Sequence, residues 1–126
     1  MLLFDTDIVI WIQRGNTRAA VLFDATAERY ISVQSYMELL QCAQNRRQLQ
    51  LTKRFLADFN VKILPFSVNI GRRAAVYIEE YSLATGLRAG DALVAATAIE
   101  HNLPLSSSNE KHFRQIAGLD LRIFEP

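Results

Sequence analysis

The sequence has a single cysteine, Cys42, and only two histidines in 126 residues. One cysteine excludes an intramolecular disulfide and favours a reducing compartment, so a cytoplasmic location is expected. So few thiols and imidazoles exclude a structural zinc site. Any bound metal must be held by carboxylates, which favours hard ions such as Mg²⁺ or Mn²⁺. No apolar run approaches the roughly 18 residues needed to span a membrane. The start, Met1 to Phe4, is interrupted by Asp5 and Asp7 and lacks a basic segment, so no secretory leader is expected. Glycine and proline are sparse, at five and three. With no linker, repeat or low-complexity tract, residues 1–126 read as one domain. The net charge of +1 argues against binding nucleic acid by bulk electrostatics, though it leaves local patches open. A hydrophobic content of 50% excludes a disordered tail.

What is present alternates between short apolar runs and helical patterns. Strands are expected at residues 2–4, 30–33, 61–64, 103–106 and 121–124. Helices are expected from Thr6 or Asp7 to Gln13, at 17–27, from Ser35 to about Asn45, at 48–59, 67–84 and 88–101, with one turn at 109–114. Strands that are apolar throughout are covered on both faces. The pattern predicts a three-layer α/β/α fold around a short, mostly parallel sheet. Sites in such folds gather at the carboxyl ends of the strands.

Polar residues at those places are Asp5, Glu38, Asp91 and the segment Ser107-Ser108-Asn109. Several carboxylates at one sheet edge repel each other unless a cation compensates, which is the physical reason to suspect a divalent metal. Each has a structural alternative. Asp5 could be a cap that misses its helix by one residue, but a carboxylate abutting an apolar strand is costly without partners. Asp7 is explained by the helix dipole. Ser35-x-x-Glu38 is a capping-box pattern. Asp91 suits a helix N-terminus, yet it opens the apolar stretch Ala92 to Ala96. Asn109 reads as a cap, Ser107 as a cap hydroxyl, and His112 as a solvated side chain in a surface turn.

These segments carry a family resemblance. Phe4-Asp5-Thr6-Asp7-Ile8-Val9-Ile10 resembles the opening of PIN domains. Tyr36-Met37-Glu38-Leu39-Leu40 resembles their second acidic motif, and Gly90-Asp91-Ala92-Leu93-Val94-Ala95-Ala96-Thr97-Ala98 their third. Leu103-Pro104-Leu105 followed by Ser107-x-Asn109-x-x-His112-Phe113 resembles their fourth. The resemblance covers essentially the whole chain and is closest to VapC-type toxins of toxin–antitoxin pairs. It implies a metal-dependent endoribonuclease in which Asp5, Glu38 and Asp91 hold Mg²⁺ or Mn²⁺, with Asn109 a further candidate ligand. Ser107 matches a supporting hydroxyl of the site, and His112 is a candidate for holding a phosphate or water. The fourth motif departs from the family pattern, which often has acids where this chain has Asn109 and His112. That departure motivates an alternative, a weakly active or inactive PIN domain that binds RNA or protein. The resemblance also implies a homodimer and a cognate antitoxin, with DNA contacted only through that antitoxin.

Charge is uneven. Residues 1–45 carry net −2, residues 46–73 net +6 and residues 74–126 net −3. The middle block, including Arg46, Arg47, Arg72 and Arg73, could neutralise RNA phosphates near an acidic site, or serve as an ordinary solvated surface. Trp11 on the first helix and Ala75, Ile78, Tyr81 and Ser82 on the long helix are candidates for a dimer seam or an antitoxin groove. An aspartyl phosphatase, suggested by Asp5-Thr6-Asp7, lacks the further lysine and acidic pair that such enzymes need.

Overall fold

The computed structural model describes all residues, Met1–Pro126. Strands and helices alternate along it as β1 (Leu2–Phe4), α1 (Thr6–Gln13), α2 (Thr17–Ala25), β2 (Arg29–Ser32), α3 (Val33–Gln41), α4 (Arg46–Asp58), β3 (Val61–Leu64), α5 (Val68–Thr85), α6 (Ala89–Glu100), β4 (Leu105–Ser107), α7 (Glu110–Phe113) and β5 (Leu121–Ile123). The sheet order is β3-β2-β1-β4-β5. Every pairing is parallel, so the expected mostly parallel sheet is wholly so. The chain builds outward from β1 to β3, then crosses back to lay β4 on the other side of β1. The strand order therefore reverses beside β1, and in such sheets ligands bind at the carboxyl edge of that switch point.

Successive strand residues face opposite sides, so Leu3 and Phe4 enter different cores. Phe4 packs with Ile8, Phe23, Ile31, Leu39 and Leu56 beneath α1 to α4. Leu3 packs with Ile70, Val94, Ala95, Leu105 and Phe113 beneath α5 to α7. Ala92, Ala95, Ala96 and Ala98 of α6 are all buried, and their small side chains let α6 lie close to both α5 and the sheet. Gly86, at φ 75°, ends α5 and turns the chain into α6.

Local chemistry sets the boundaries, and several differ from expectation. Ser67 caps α5 and Asn16 caps α2, each through its side chain. Asn45 caps α4, which starts at Arg46, two residues before the expected start. The start of α3 is Val33, not Ser35, because Ser32 ends β2 and its Oγ accepts from Ser35 N–H at 3.0 Å. The expected capping box Ser35-x-x-Glu38 is therefore absent, and Ser35 is a buried helical residue. The fourth strand pairs from Leu105 rather than Leu103, since Pro104 has no N–H and contributes only its carbonyl, to Leu3 N–H at 2.9 Å. On α5, Ile78 and Tyr81 pack against the core, while Ala75 is exposed, as are the large apolar residues Val68, Val76 and Leu83. Trp11 likewise packs against the core beneath α1. No helix is long and apolar enough to cross a membrane.

Candidate active site

Register brings the first acid into place. Phe4 pairs with Ser106, so the next residue on each strand, Asp5 and Ser107, stand side by side at the carboxyl edge. Asp5 N–H donates to Ser106 O at 2.9 Å. Its carboxylate is the N-cap of α1, one residue ahead of the Thr6 or Asp7 cap expected from sequence. Oδ1 accepts from Thr6 N–H at 2.8 Å and Oδ2 from the Ser107 hydroxyl at 2.8 Å. The residue is only 8% exposed. Burial, then the charge of Asp7, raise its pKa from 3.8 to about 7; Asp91 adds to the rise, while the bonds from Ser107 and Thr6 oppose it.

Glu38 comes from the second turn of α3. Its Oε1 accepts from the Thr6 hydroxyl and from Gln34 Nε2, each at 3.4 Å. The Thr6 hydroxyl also lies 2.9 Å from Ser35 Oγ, so Ser35, freed of any capping role, braces the contact between α1 and α3. Partial burial raises the Glu38 pKa, and Asp91 adds to it, against the bonds from Gln34 and Thr6.

Asp91 lies in the first turn of α6, which has no side-chain cap. Its Oδ2 is 2.9 Å from His112 Nδ1. A carboxylate only accepts, so in this contact Nδ1 is the donor. Asn109 caps α7, accepting from His112 N–H at 3.4 Å, and its amide stands 2.9 Å from the same Nδ1. His112 is thus tied to an acid of the site rather than solvated in a turn. Gly90 explains how α3 and α6 approach. A Cβ there would lie 3.0 Å from Gln34 Nε2 and 3.6 Å from Glu38 Oε1.

Asp7 is a residue that the sequence reading set aside. It lies in the first turn of α1, as the dipole argument requires, but it also reaches across to β4. Its Oδ2 accepts from Ser108 N–H at 3.0 Å and from the Ser108 hydroxyl, and its Oδ1 is buried with no partner. The signal available in sequence was an acid two residues from Asp5 in an otherwise apolar segment.

The basic block is divided by the fold. Arg46 and Arg47 are exposed on α4 with Lys53 and Arg54, and none of the four pairs with an acid. Arg73, on α5, pairs with Glu100 at the far end of α6. Nine residues separate Glu100 from Asp91, about 13–14 Å along the helix. Arg72 is exposed beside Arg73. The structure does not bring this pair to the acids.

No three His, Cys, Asp or Glu side chains are close enough to form a ready coordination shell. Even so, the donor set fits a hard divalent cation. It consists of carboxylates, with Asp91 near enough to raise the proton affinity of Asp5 and of Glu38, and Glu38 Oε2 and Asp91 Oδ1 make no bond to protein.

A five-stranded parallel sheet with acids from three elements at its carboxyl edge defines a class of α/β proteins with an anionic site at a topological switch. The chain belongs to the PIN domain family, which it matches over residues 2–119. Among solved structures it is similar to a chain of a toxin–antitoxin complex from Klebsiella pneumoniae, with 32% identity, TM-score 0.80, and coverage of 94% of this chain and 95% of that one. It shares its fold with a chain of VapBC2 from Rickettsia felis bound to promoter DNA (22% identity, TM-score 0.78, 98% of each chain). The same holds for DNA-bound VapBC from Salmonella typhimurium (20% identity, TM-score 0.80, 98% of each chain). No curated protein sequence matches this chain.

Proposed function

We propose that this PIN domain is a divalent-metal-dependent endoribonuclease and the toxin of a toxin–antitoxin pair. The observation that carries the reading is the junction of Asp5, Glu38 and Asp91 at the switch point. There, the charge of Asp91 adds to the rise that burial imposes on the proton affinity of both Asp5 and Glu38, where a cation would relieve them. Asp5, Glu38 and Asp91 are assigned as the metal-holding residues, with Asn109 beside them. Mg²⁺ or Mn²⁺ bound there would lower the pKa of a water for attack on an RNA phosphodiester and neutralise charge developing on the phosphate. Ser107 and Thr6 orient the Asp5 carboxylate, Gln34 and Thr6 orient Glu38, and His112 orients Asp91. A carboxylate that is not saturated by metal can take the proton from the attacking water. The cations of α4 are assigned to RNA phosphates.

The toxin assignment is supported by the 32% identity to a chain of a toxin–antitoxin complex. The antitoxin would be the cognate partner, the toxin a homodimer in the cytoplasm, and DNA contact indirect through the antitoxin. An apolar groove of about 600 Å³ between α1, α3 and α4, lined by Ile12, Leu39, Leu51 and Phe55 among others, offers an apolar segment of that partner a seat.

The test is cleavage of a panel of structured RNAs with Mg²⁺ or Mn²⁺ by wild type, Asp5→Ala and Asp91→Ala. Metal-dependent cleavage by wild type alone is expected; equal activity in all three, or none in any, overturns the enzyme reading. The second reading, a binding module, is favoured by one observation: His112 already occupies Asp91 Oδ2. RNA binding without cleavage would establish it.

A further inference from the structure

We propose that Asp7 is a positioning residue of the site, acting as a clamp that holds the turn between β4 and α7 against α1. Its only role legible in sequence is to complement the α1 dipole, and a solvated acid would serve that purpose. In the structure it instead bonds Ser108, 101 residues away in the chain, through both the N–H and the hydroxyl.

The turn that it holds serves two of the three acids. Ser107 Oγ donates to Asp5 and accepts from Asn109 N–H at 3.0 Å. Asn109 then caps α7, and His112 of α7 reaches back to Asp91. Ser108 sits between these arms, at the one place where a single anchor fixes both. Ser107 is also held by Phe124 N–H at 2.9 Å and by Asp5, but the N–H and hydroxyl of Ser108 go to Asp7 alone. Beyond it, α7 is a four-residue helix whose side-chain cap bond is a long 3.4 Å. Three acids cross to this segment, Asp5 to Ser107, Asp91 to His112 and Asp7 to Ser108, and Asp7 is the one that holds the residue between the other two.

Asp7 is also costly where it stands. Its Oδ1 is buried without a partner, and its charge opposes ionisation of Asp5. An acid kept only for the dipole would be better turned to solvent. The two charge-assisted bonds to Ser108 are what this orientation achieves.

The test uses the full chain with Asp7→Ala, Asp7→Asn and Ser108→Ala, and three readouts. These are amide hydrogen exchange at Ser108 and Asn109, Mn²⁺ affinity by calorimetry, and kcat and KM on RNA. Asp7→Ala should speed exchange at both amides, weaken Mn²⁺ binding roughly 10-fold or more, and lower kcat with little change in KM. Asp7→Asn keeps an acceptor oxygen and should stay near wild type in exchange and Mn²⁺ affinity. Ser108→Ala, which removes one of the two bonds from a half-buried surface position, should fall between. Unchanged exchange in Asp7→Ala would overturn the clamp. So would an Asp7→Asn variant as impaired as Asp7→Ala, since charge rather than position would then be the function. The Mn²⁺ and kinetic arms rest on the proposed nuclease reading, whereas the exchange arm does not. A wild type that binds no Mn²⁺ or cleaves no RNA would therefore count against that reading while exchange still decides the clamp.

Discussion

Asp5 is asked to do two opposed things. It caps α1 and accepts two short bonds, yet burial and Asp7 push its pKa to about 7. A carboxylate whose folded pKa lies above its unfolded value holds its proton more tightly in the fold. Its contribution to stability is full below about pH 4 and is lost as pH rises through about 7. The metal-free protein should thus lose stability across that window, by a few kcal/mol at about 1.4 kcal/mol per unit. Asp5→Asn should flatten this slope and raise the melting temperature at pH 8, read by thermal denaturation in chelator. The same variant should lose RNA cleavage by more than the roughly 10–100-fold typical of outer partners. Glu38 gives a complementary case. With no capping box to maintain, Glu38→Gln should leave the melting temperature near wild type and weaken Mn²⁺ binding, measured by calorimetry. A large loss of stability with unchanged affinity would contradict that assignment.

At the scale of elements, the site is made where the N-termini of α1 and α6 meet the second turn of α3, with β4 leading into α7. Asp5 and Asp91 stand at the N-termini of α1 and α6, whose positive dipole ends favour their charge. Gly90 sets how near α3 and α6 can come. Replacing a helical glycine by alanine ordinarily stabilises by about 0.5–1 kcal/mol. Gly90→Ala should therefore hold or raise the melting temperature, while its Cβ displaces Gln34 and with it Glu38. Metal affinity or RNA cleavage should fall about tenfold. The element boundaries explain why part of this was not legible in sequence. Ser32 and Ser35 are equivalent as caps on paper. Only the end of β2 decided that Ser32 takes the role, which released Glu38 and turned Ser35 towards Thr6.

For the whole molecule, the +6 block of residues 46–73 divides into two surfaces. Arg46, Arg47, Lys53 and Arg54 stand unpaired on α4, whereas Arg73 is neutralised by Glu100 away from the acids. Reversing Arg47 and Arg54 to Glu should weaken RNA binding and reduce its salt dependence, since each phosphate contact releases counterion on a single strand with a slope near about 0.7. Arg73→Glu should leave that slope unchanged. Filter binding across a salt series checks both, and an equal loss in the two variants would return the binding surface to the block as a whole.

The sequence by itself determined the layer architecture, because alternating strand and helix periods admit few packings, and it placed Asp5 and Asp91 at the ends of buried elements. Asp5 follows a buried strand, Asp91 opens a buried helix, and the parallel sheet sends both to one edge. The family was legible for the same reason, since its motifs are the places where polar groups interrupt apolar elements. Tertiary structure alone decided the partners. Whether His112 is solvated or bonded to Asp91, whether Asp7 serves the dipole or Ser108, and which arginines remain free all depend on contacts across 21 to 101 residues of chain. Such contacts leave no local period or spacing to read. They are fixed only when the sheet register sets Asp5 beside Ser107 and the turn after β4 closes over α1.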